Sequence, residues 1–422
     1  MRFTIVHRIF FLFVIQVFYF LEISAQTPNT IKGKIVNSAD GKPIPKCSIF
    51  INNSSIGTSA DENGEFELAN IPAGQHELVI SSIGFERVIK IVNYAELPLT
   101  LNVSLKLKAT ELESVTVGRY IQDGWEQWGK LFVNNFIGSF GNAGDCFIKN
   151  KNVIHFEFAK SNKAVVVVAD EPIIIENRAL GYLISYELEN FSYDLANATL
   201  VFTGYPSYKE MQTKNSKVMK LWEDNRKEAY LGSLNHFIRS IFKRNISEEG
   251  FEAHQIEFVD NTEKKRIVSY CLSNGLATID SVNKKLRLTK AGSNLPKDSI
   301  KYFAKISLQP DYTEVLDTSR LSAEQISTVQ NLQTILNIPY KLEIIYKNAS
   351  ESPGYLKTID HIKKLDFQQS RISVTKDKVV EIWLDGNYYP PQFLFLTGYW
   401  VWKNKISNRL PLDYVYPGDV VR

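Results

Sequence analysis

The chain has 422 residues, is 44% hydrophobic and 23% charged, and sets Lys+Arg 49 against Asp+Glu 46, a formal net charge of +3. That balance excludes a disordered polyelectrolyte and a broad basic field for nucleic acid or an acidic membrane. The length suits two or three domains with real cores, and Phe 25 with Tyr 20 favours β-rich structure.

Arg2, His7 and Arg8 precede an apolar run over 9–20 that only Gln16 interrupts, and Ile23-Ser24-Ala25 then offers a small residue before Gln26. A basic start, a short greasy stretch and a small-residue exit predict a signal peptide over 1–25. The run falls short of the ~20 apolar residues a membrane span takes, and an uncleaved N-terminal anchor is the rival reading. Gln26 rather than a cysteine directly follows the cleavage position, so a lipid-anchored form is not supported, and no second apolar stretch reaches membrane length, so no transmembrane segment is expected after cleavage. Cys47, Cys146 and Cys271 are odd in number and far apart, which favours buried free thiols over a disulfide framework.

Behind the leader, Ile31, Gly33 and Ile35 alternate with lysines before a turn at Ser38-Ala39-Asp40-Gly41. Cys47, Ile49 and Ile51 share one face of a second strand. Further strands fit 65–68, 76–80 and 86–92, and Leu99, Leu101, Val103, Leu105 and Leu107 point one way in the last. Period-two patterning with Gly and Pro turns every eight to twelve residues predicts a sandwich over 30–107.

The residues that carry a resemblance are Ile31 to Val36, Gly41-Lys42-Pro43-Ile44-Pro45, Gly57 to Phe66, and Ile71-Pro72-Ala73-Gly74 with Leu78, Ser81 and Gly84-Phe85. This stretch resembles the carboxypeptidase regulatory-like domain. The resemblance implies a prealbumin-like sandwich of about seven strands that is itself non-catalytic. In Gram-negative bacteria that module often precedes TonB-dependent outer-membrane receptors, and Glu111 to Gly118 is similar to the extended segment that comes after it there. A plug and a 22-strand barrel do not fit in the roughly 300 residues that remain. Residues 108–120 are therefore expected to be a linker. Asp61-Glu62-Asn63-Gly64 lacks the carboxylate spacing of a calcium loop and reads as a turn.

From Trp125 onward both periods mix, which predicts a larger α+β region over 121–422, divisible into two subdomains. Trp125, Trp128, Leu131, Phe132 and Phe136 have helical spacing. Strands fit 153–158, 164–169, 173–175, 182–188 and 199–202. One long helix fits 217–243, with Trp222, Tyr230, Phe237 and Ile241 on one stripe. Strands then fit 254–259, 300–308 and 342–346, and a helix entered at Ser322 fits 322–336. Two stretches are similar to landmarks of a larger, uncharacterised family that pairs such a region with the same N-terminal module. One runs from Glu176 through Gly204-Tyr205-Pro206 to Arg226, Ala229 to Ser233 and His236 to Ser240. The other joins Asn387 to Pro391, Gly398-Tyr399-Trp400 and Leu410 to Tyr414. Neither carries an activity.

His254-x-x-Glu257 with His361 imitates the ligand order of zinc carboxypeptidases, but strand positions three apart face opposite ways, and zinc needs three or four convergent ligands. Ser233 and His236 lack the glycine elbow of a nucleophile. Asp170 and Glu171 lack a separated partner carboxylate. No catalytic residue, metal or cofactor is therefore expected. Arg226 and Arg239, at the edge of the helical stripe, suit a carboxylate or phosphate, with pairing on a sheet as the plainer role. Tyr388, Tyr389, Tyr399, Trp400 and Trp402 suit a stacking platform for a sugar or peptide, with core packing as the plainer role. The function expected is an exported, non-catalytic binding or assembly protein of the Gram-negative envelope, periplasmic or associated with the outer membrane or cell surface. Its partners would be envelope proteins or a glycan or peptide ligand. The rival class is a periplasmic hydrolase of peptides or glycans with its site in 121–422.

Overall fold

The computed structural model describes residues 29–108, 120–159, 163–280, 286–338, 341–359 and 366–418. The predicted leader over 1–25, nearly all of the linker over 108–120 and His361 lie outside them. The described chain is mostly β, with several sheets and interspersed helices. It forms two compact units: residues 1–135, 145–219 and 411–422 in one, residues 136–144 and 220–410 in the other.

The first unit opens with the expected sandwich. Its strands are β1 (Ile31–Asn37), β2 (Ser48–Ile51), β3 (Gly57–Ser59), β4 (Glu65–Leu68), β5 (Gln75–Ser81), β6 (Val88–Asn93) and β7 (Leu99–Leu105). They make two sheets, β4-β1-β7 and β3-β2-β5-β6, with β1 antiparallel to β4 and parallel to β7. Ile31, Ile35, Cys47, Ile49, Ile51, Leu78, Ile80 and Leu105 fill the space between them. Gly33 sits in the central strand opposite Phe66 and Leu101. A Cβ there would lie 1.7 Å from the Leu101 carbonyl oxygen, so only glycine lets β7 approach.

The same unit continues with α1 (Gly124–Phe136), β8 (Cys146–Ile148), β9 (Ile154–Ala159), β10 (Ala164–Ala169), β11 (Ile173–Asn177), β12 (Tyr182–Asp194) and β13 (Thr199–Glu210). The strands form one sheet in the order β8-β11-β12-β10-β9, with β13 on β12. The α1 stripe predicted from spacing packs on this sheet: Phe132 meets Phe156 at 6.2 Å and Phe191 at 5.0 Å between ring centroids.

The central strands of sheet β3-β2-β5-β6, β2 and β5, are covered on both faces. Ile49, Ile51, Leu78 and Ile80 line the sandwich interior, while Phe50 and Val79, on the alternate positions, are 3% and 0% exposed. On that outer side Ser81 Oγ donates to Glu187 on β12 at 2.5 Å, and Arg87 reaches the same carboxylate at 3.3 Å. The turn after β2 is clasped as well. Ser54 bridges Ser207 on β13, Asn53 N–H donates to Pro206 O at 2.8 Å, and Leu412 N–H donates to Asn53 O at 2.8 Å. Asp413 accepts from both the amide and the hydroxyl of Ser55.

The second unit contains α2 (Ser216–Tyr230), which begins at the unit boundary, then α3 (Leu234–Phe242), β14 (Phe251–Asp260), α4 (Thr262–Ser273), β15 (Ala277–Ile279), β16 (Leu286–Leu288), α5 (Lys297–Ser307) and β17 (Tyr312–Leu316). It continues with β18 (Ser327–Gln330), β19 (Gln333–Leu336), β20 (Lys341–Ser350), β21 (Phe367–Val374), β22 (Glu381–Ile382), β23 (Tyr388–Tyr389), β24 (Leu394–Gly398) and α6 (Tyr399–Lys403). A five-stranded sheet β17-β14-β20-β21-β24 carries α3 on one face, over a core of Phe237, Ile238, Ile241, Phe251, Ile344 and Ile372.

Three elements differ from expectation. The long helix predicted over 217–243 is two, because Gly232 adopts φ 71° and Ser233 caps a new helix by accepting from His236 N–H at 3.1 Å. The strand predicted over 300–308 is α5; Phe303 and Ile306 reach the Ile267 and Cys271 face of α4, a one-turn spacing that the alternation of Ile300, Tyr302 and Ala304 hid. The helix predicted over 322–336 lasts one turn, Ala323–Ile326, with its Ser322–Gln325 capping box intact. Ser327, Thr328 and Val329 then extend into a hairpin whose turn, Asn331-Leu332, has φ of 49° and 67°.

Candidate functional site

The segment around Gly232 gathers many of the singled-out residues of the second unit. Gly232 N–H donates to His236 Nδ1 at 3.1 Å. Nδ1 therefore acts as acceptor, the hydrogen of the neutral ring sits on Nε2, and Nε2 donates to Glu249 at 3.1 Å. The Gly232 carbonyl accepts from Trp400 Nε1 at 2.7 Å, and Trp400 N–H donates to Ser370 Oγ at 3.0 Å. Lys403 Nζ donates to the α2 C-terminal carbonyls of Leu231 at 2.8 Å and Glu228 at 3.1 Å. Burial pushes that ammonium down to about 8. Arg239 Nε donates to Asp385 O at 3.1 Å while its guanidinium lies 5.2 Å from the Tyr230 ring centre. Trp400 and Arg239 are thus built into the interior, at 3% and 6% exposure.

Tyr399 and Trp402 point elsewhere. With Tyr355 and Phe140 they form an aromatic cluster: Tyr355–Tyr399 5.1 Å, Tyr399–Trp402 5.4 Å, Tyr355–Trp402 5.7 Å and Phe140–Trp402 5.7 Å between centroids. Tyr355 and Tyr399 are buried, Trp402 is half-buried and Phe140 is exposed, so the cluster presents its Phe140–Trp402 end outward. Burial raises the Tyr399 phenol to about 12 and that of Tyr355 in the same direction, with the Glu351 carboxylate adding to both. Nearby on the sheet, Arg371 pairs with Glu343 and Glu314, both at 2.7 Å, and Lys341 with Glu314 at 2.9 Å. Of the seven residues chosen from sequence, the structure brings only Tyr399 and Trp402 into this cluster. Tyr388 and Tyr389 lie half-buried on β23, and Arg226 lies half-buried on α2. Tyr355, Phe140 and Glu351 carried no sequence signal, since they come from short turns distant in the chain.

The catalytic look-alikes take structural positions. His254 Nδ1 hydrogen-bonds Ser319 O at 3.0 Å, and Nε2 stands 3.8 Å from Glu252. Asp170 holds His155 Nε2 at 2.7 Å, and that ring stacks on Tyr120 at 4.6 Å. Among the described residues no three His, Cys, Asp or Glu side chains converge as metal ligands. The three cysteines carry free thiols, and burial lifts Cys47 and Cys146 to about 12.

A second polar group, in the first unit, surrounds Glu187. Tyr205 donates to Glu189 at 3.0 Å, Arg87 lies 4.9 Å from the Tyr205 ring centre, and Asn52 Nδ2 donates to Glu77 at 2.7 Å. Burial, with a smaller push from Glu189, raises the Glu77 carboxyl above its ordinary range. A raised carboxyl adds stability below its ordinary value and loses it as pH climbs through the raised one. Glu77→Gln keeps an acceptor for Asn52 and removes the charge. Its melting temperature is therefore expected to exceed wild type at pH 8 and to match it near pH 4; equal curves at both pH values count against this.

Comparison with known proteins places residues 31–117 in the CarboxypepD_reg-like domain family, by a match to that family's model. No curated protein matches the chain. Among solved structures, the major pilin subunit of Bacillus cereus is similar over 19% of this chain at 14% identity, with a TM-score of 0.16; the chain spans 30% of that pilin. A cohesin–X-dockerin complex of Acetivibrio cellulolyticus is similar over 27% of this chain and 81% of its own, at 16% identity and a TM-score of 0.16. A putative membrane-associated protein of unknown function from Bacteroides fragilis is similar over 87% of this chain and 93% of its own, at 11% identity and a TM-score of 0.15. At such TM-scores the superpositions define no shared fold.

Proposed function

We propose that the chain is an exported, non-catalytic binding and assembly protein of the Gram-negative cell envelope. The carboxypeptidase regulatory-like sandwich serves as a spacing module, and the second unit carries the specific contact. The observation that carries this reading is how the sandwich is held. Its central strands β2 and β5 are covered on both faces, with Phe50 and Val79 buried on the outer side, and its Asn53–Ser55 turn is tied to Pro206, Leu412 and Asp413. A module fixed in this way acts as a rigid mount rather than a loose tether. The family's frequent place in envelope proteins supports the compartment. The outward Phe140–Trp402 end of the aromatic cluster suits an apolar or sugar face of a ligand. Among the described residues no helix is long and apolar enough to cross a membrane. Expression of the tagged chain in a Gram-negative host, with fractionation and crosslinking, tests this. Recovery with envelope membranes in a crosslinked complex is expected; a freely diffusing species without crosslinks overturns it.

A further inference from the structure

The near-neutral charge of the whole chain conceals a local surplus. Residues 261–311, inserted between β14 and β17, hold ten Lys and Arg against four Asp and Glu, while the entire sequence has a formal net charge of only +3. The insert has a core of its own, in which Ile267 and Cys271 of α4 meet Phe303 and Ile306 of α5 beside the β15–β16 hairpin. Most of its acids are already engaged: Glu263 pairs with Arg266, Asp311 with Lys264 and Asp280 with Arg287. Asp260, at the end of β14, takes Lys265. The remaining acid, Asp298, lies in the first turn of α5, where a carboxylate serves the helix N-terminus.

Lys297, Lys301 and Lys305 recur every four residues on α5, which stacks them along one side of the helix over about 12 Å. All three are exposed, and among the described residues none has an ion pair. The opposite side of the helix, with Phe303 and Ile306, is spent on the core of the insert. Leu308 continues the lysine side past the last turn and is 72% exposed. Tyr302, 42% exposed, borders the stripe and directs its hydroxyl at Glu263.

We infer that the Lys297–Lys301–Lys305 face of α5 docks on an anionic lipid surface. The inference rests on the envelope reading for its setting, since an envelope protein works beside bilayers. Charge complementarity carries it: each lysine held near an anionic bilayer adds about fivefold to the affinity. The three lie within about one Debye length of one another along the helix, so they act on a single patch of headgroups. Leu308 would leave water at the acyl boundary, and the amphipathic ring of Tyr302 suits the headgroup level. An acidic peptide would answer the lysines but not the leucine. Because the apolar side of α5 stays in the core of the insert, the contact is shallow, reversible and sensitive to salt.

Cosedimentation of the purified chain with phosphatidylglycerol vesicles, against vesicles of phosphatidylcholine alone, tests the docking. Binding to the anionic vesicles is expected to be roughly a hundredfold tighter in ~0.1 M salt and to be largely lost in ~0.5 M salt. The triple variant Lys297→Gln, Lys301→Gln, Lys305→Gln is expected to lose most of that preference with an unchanged circular dichroism spectrum, and the single reversal Lys301→Glu to lose more than tenfold. Lys34→Gln, Lys90→Gln, Lys130→Gln removes the same charge from exposed positions elsewhere and should bind as wild type does. No preference for anionic vesicles, equal binding by the α5 variants, an equal loss in the control variant, or equally tight binding to poly-glutamate overturns the inference. The assay needs only the chain and lipid, so it fails separately from the envelope reading. A chain that ignores vesicles but is recovered in a crosslinked envelope complex overturns this inference alone. One that binds vesicles but diffuses freely in cells overturns only the envelope reading and supports the docking.

Discussion

Gly33→Ala is expected to destabilise the sandwich by ~3 kcal/mol or more, at the top of the range for overpacking. In an ordinary strand the same exchange would help slightly, since glycine interiors are weak. The sign reverses here because the added methyl would lie 1.7 Å from the Leu101 carbonyl oxygen and 2.9 Å from the Phe66 ring. The carbonyl cannot retreat: β1 runs parallel to β7 over seven paired residues, from Ile31 and Leu99 to Asn37 and Leu105. Urea unfolding monitored by circular dichroism reads the loss, and limited proteolysis should locate it within 29–108. A midpoint equal to wild type would show that β7 can shift.

Trp400→Ala is expected to cost ~3–5 kcal/mol, the range for emptying a large buried aromatic site. The indole is 3% exposed, lies 5.5 Å from the Phe237 ring, and its Nε1 satisfies the Gly232 carbonyl. Trp400→Phe keeps much of the packing and removes the hydrogen bond, isolating an unsatisfied carbonyl worth ~1–3 kcal/mol. Trp402→Ala is the matched control, because that ring is half-buried at the outward end of its cluster. Its stability change should be clearly smaller than that of Trp400→Ala. Comparable urea midpoints for the two alanine variants would contradict the division between an interior Trp400 and a surface Trp402.

The sandwich was legible because its strands alternate and its turns carry Gly and Pro at the positions where the chain reverses, as at Gly41 and Gly64 with φ of 71° and 74°. What alternation concealed was the second layer. Ile49-Phe50-Ile51 and Leu78-Val79-Ile80 are apolar without interruption, the mark of a strand covered on both sides. The break at Gly232 was visible as a glycine next to a serine, yet the aromatic stripe ran through it from Trp222 to Phe237 and outweighed it. The failure over 322–336 was of another kind: a correct Ser322 cap opened a helix that β-branched residues ended after four positions. The aromatic cluster was half legible. Tyr399 and Trp402 lie three positions apart on one short helix, but their partners Tyr355 and Phe140 lie 44 and 259 positions before Tyr399 in the chain. Spacing along a strand or helix cannot report such encounters. Arg239 and Trp400 illustrate the same limit from the other side, since aromatic and cationic residues that suit a ligand suit an interior carbonyl equally well.

The Asn53 turn has a consequence for the order in which the molecule is made. Its amide bonds to Pro206, but its carbonyl and the neighbouring Ser55 wait for Leu412 and Asp413. Ribosomes and export channels deliver a chain from its N-terminus, so an early-emerging domain is fastened here by a residue 358 positions behind it. Until that stretch is released, Ser55 and the Asn53 carbonyl must be served by water. Final closure of the first unit is thereby reserved for chains whose synthesis has run past residue 413.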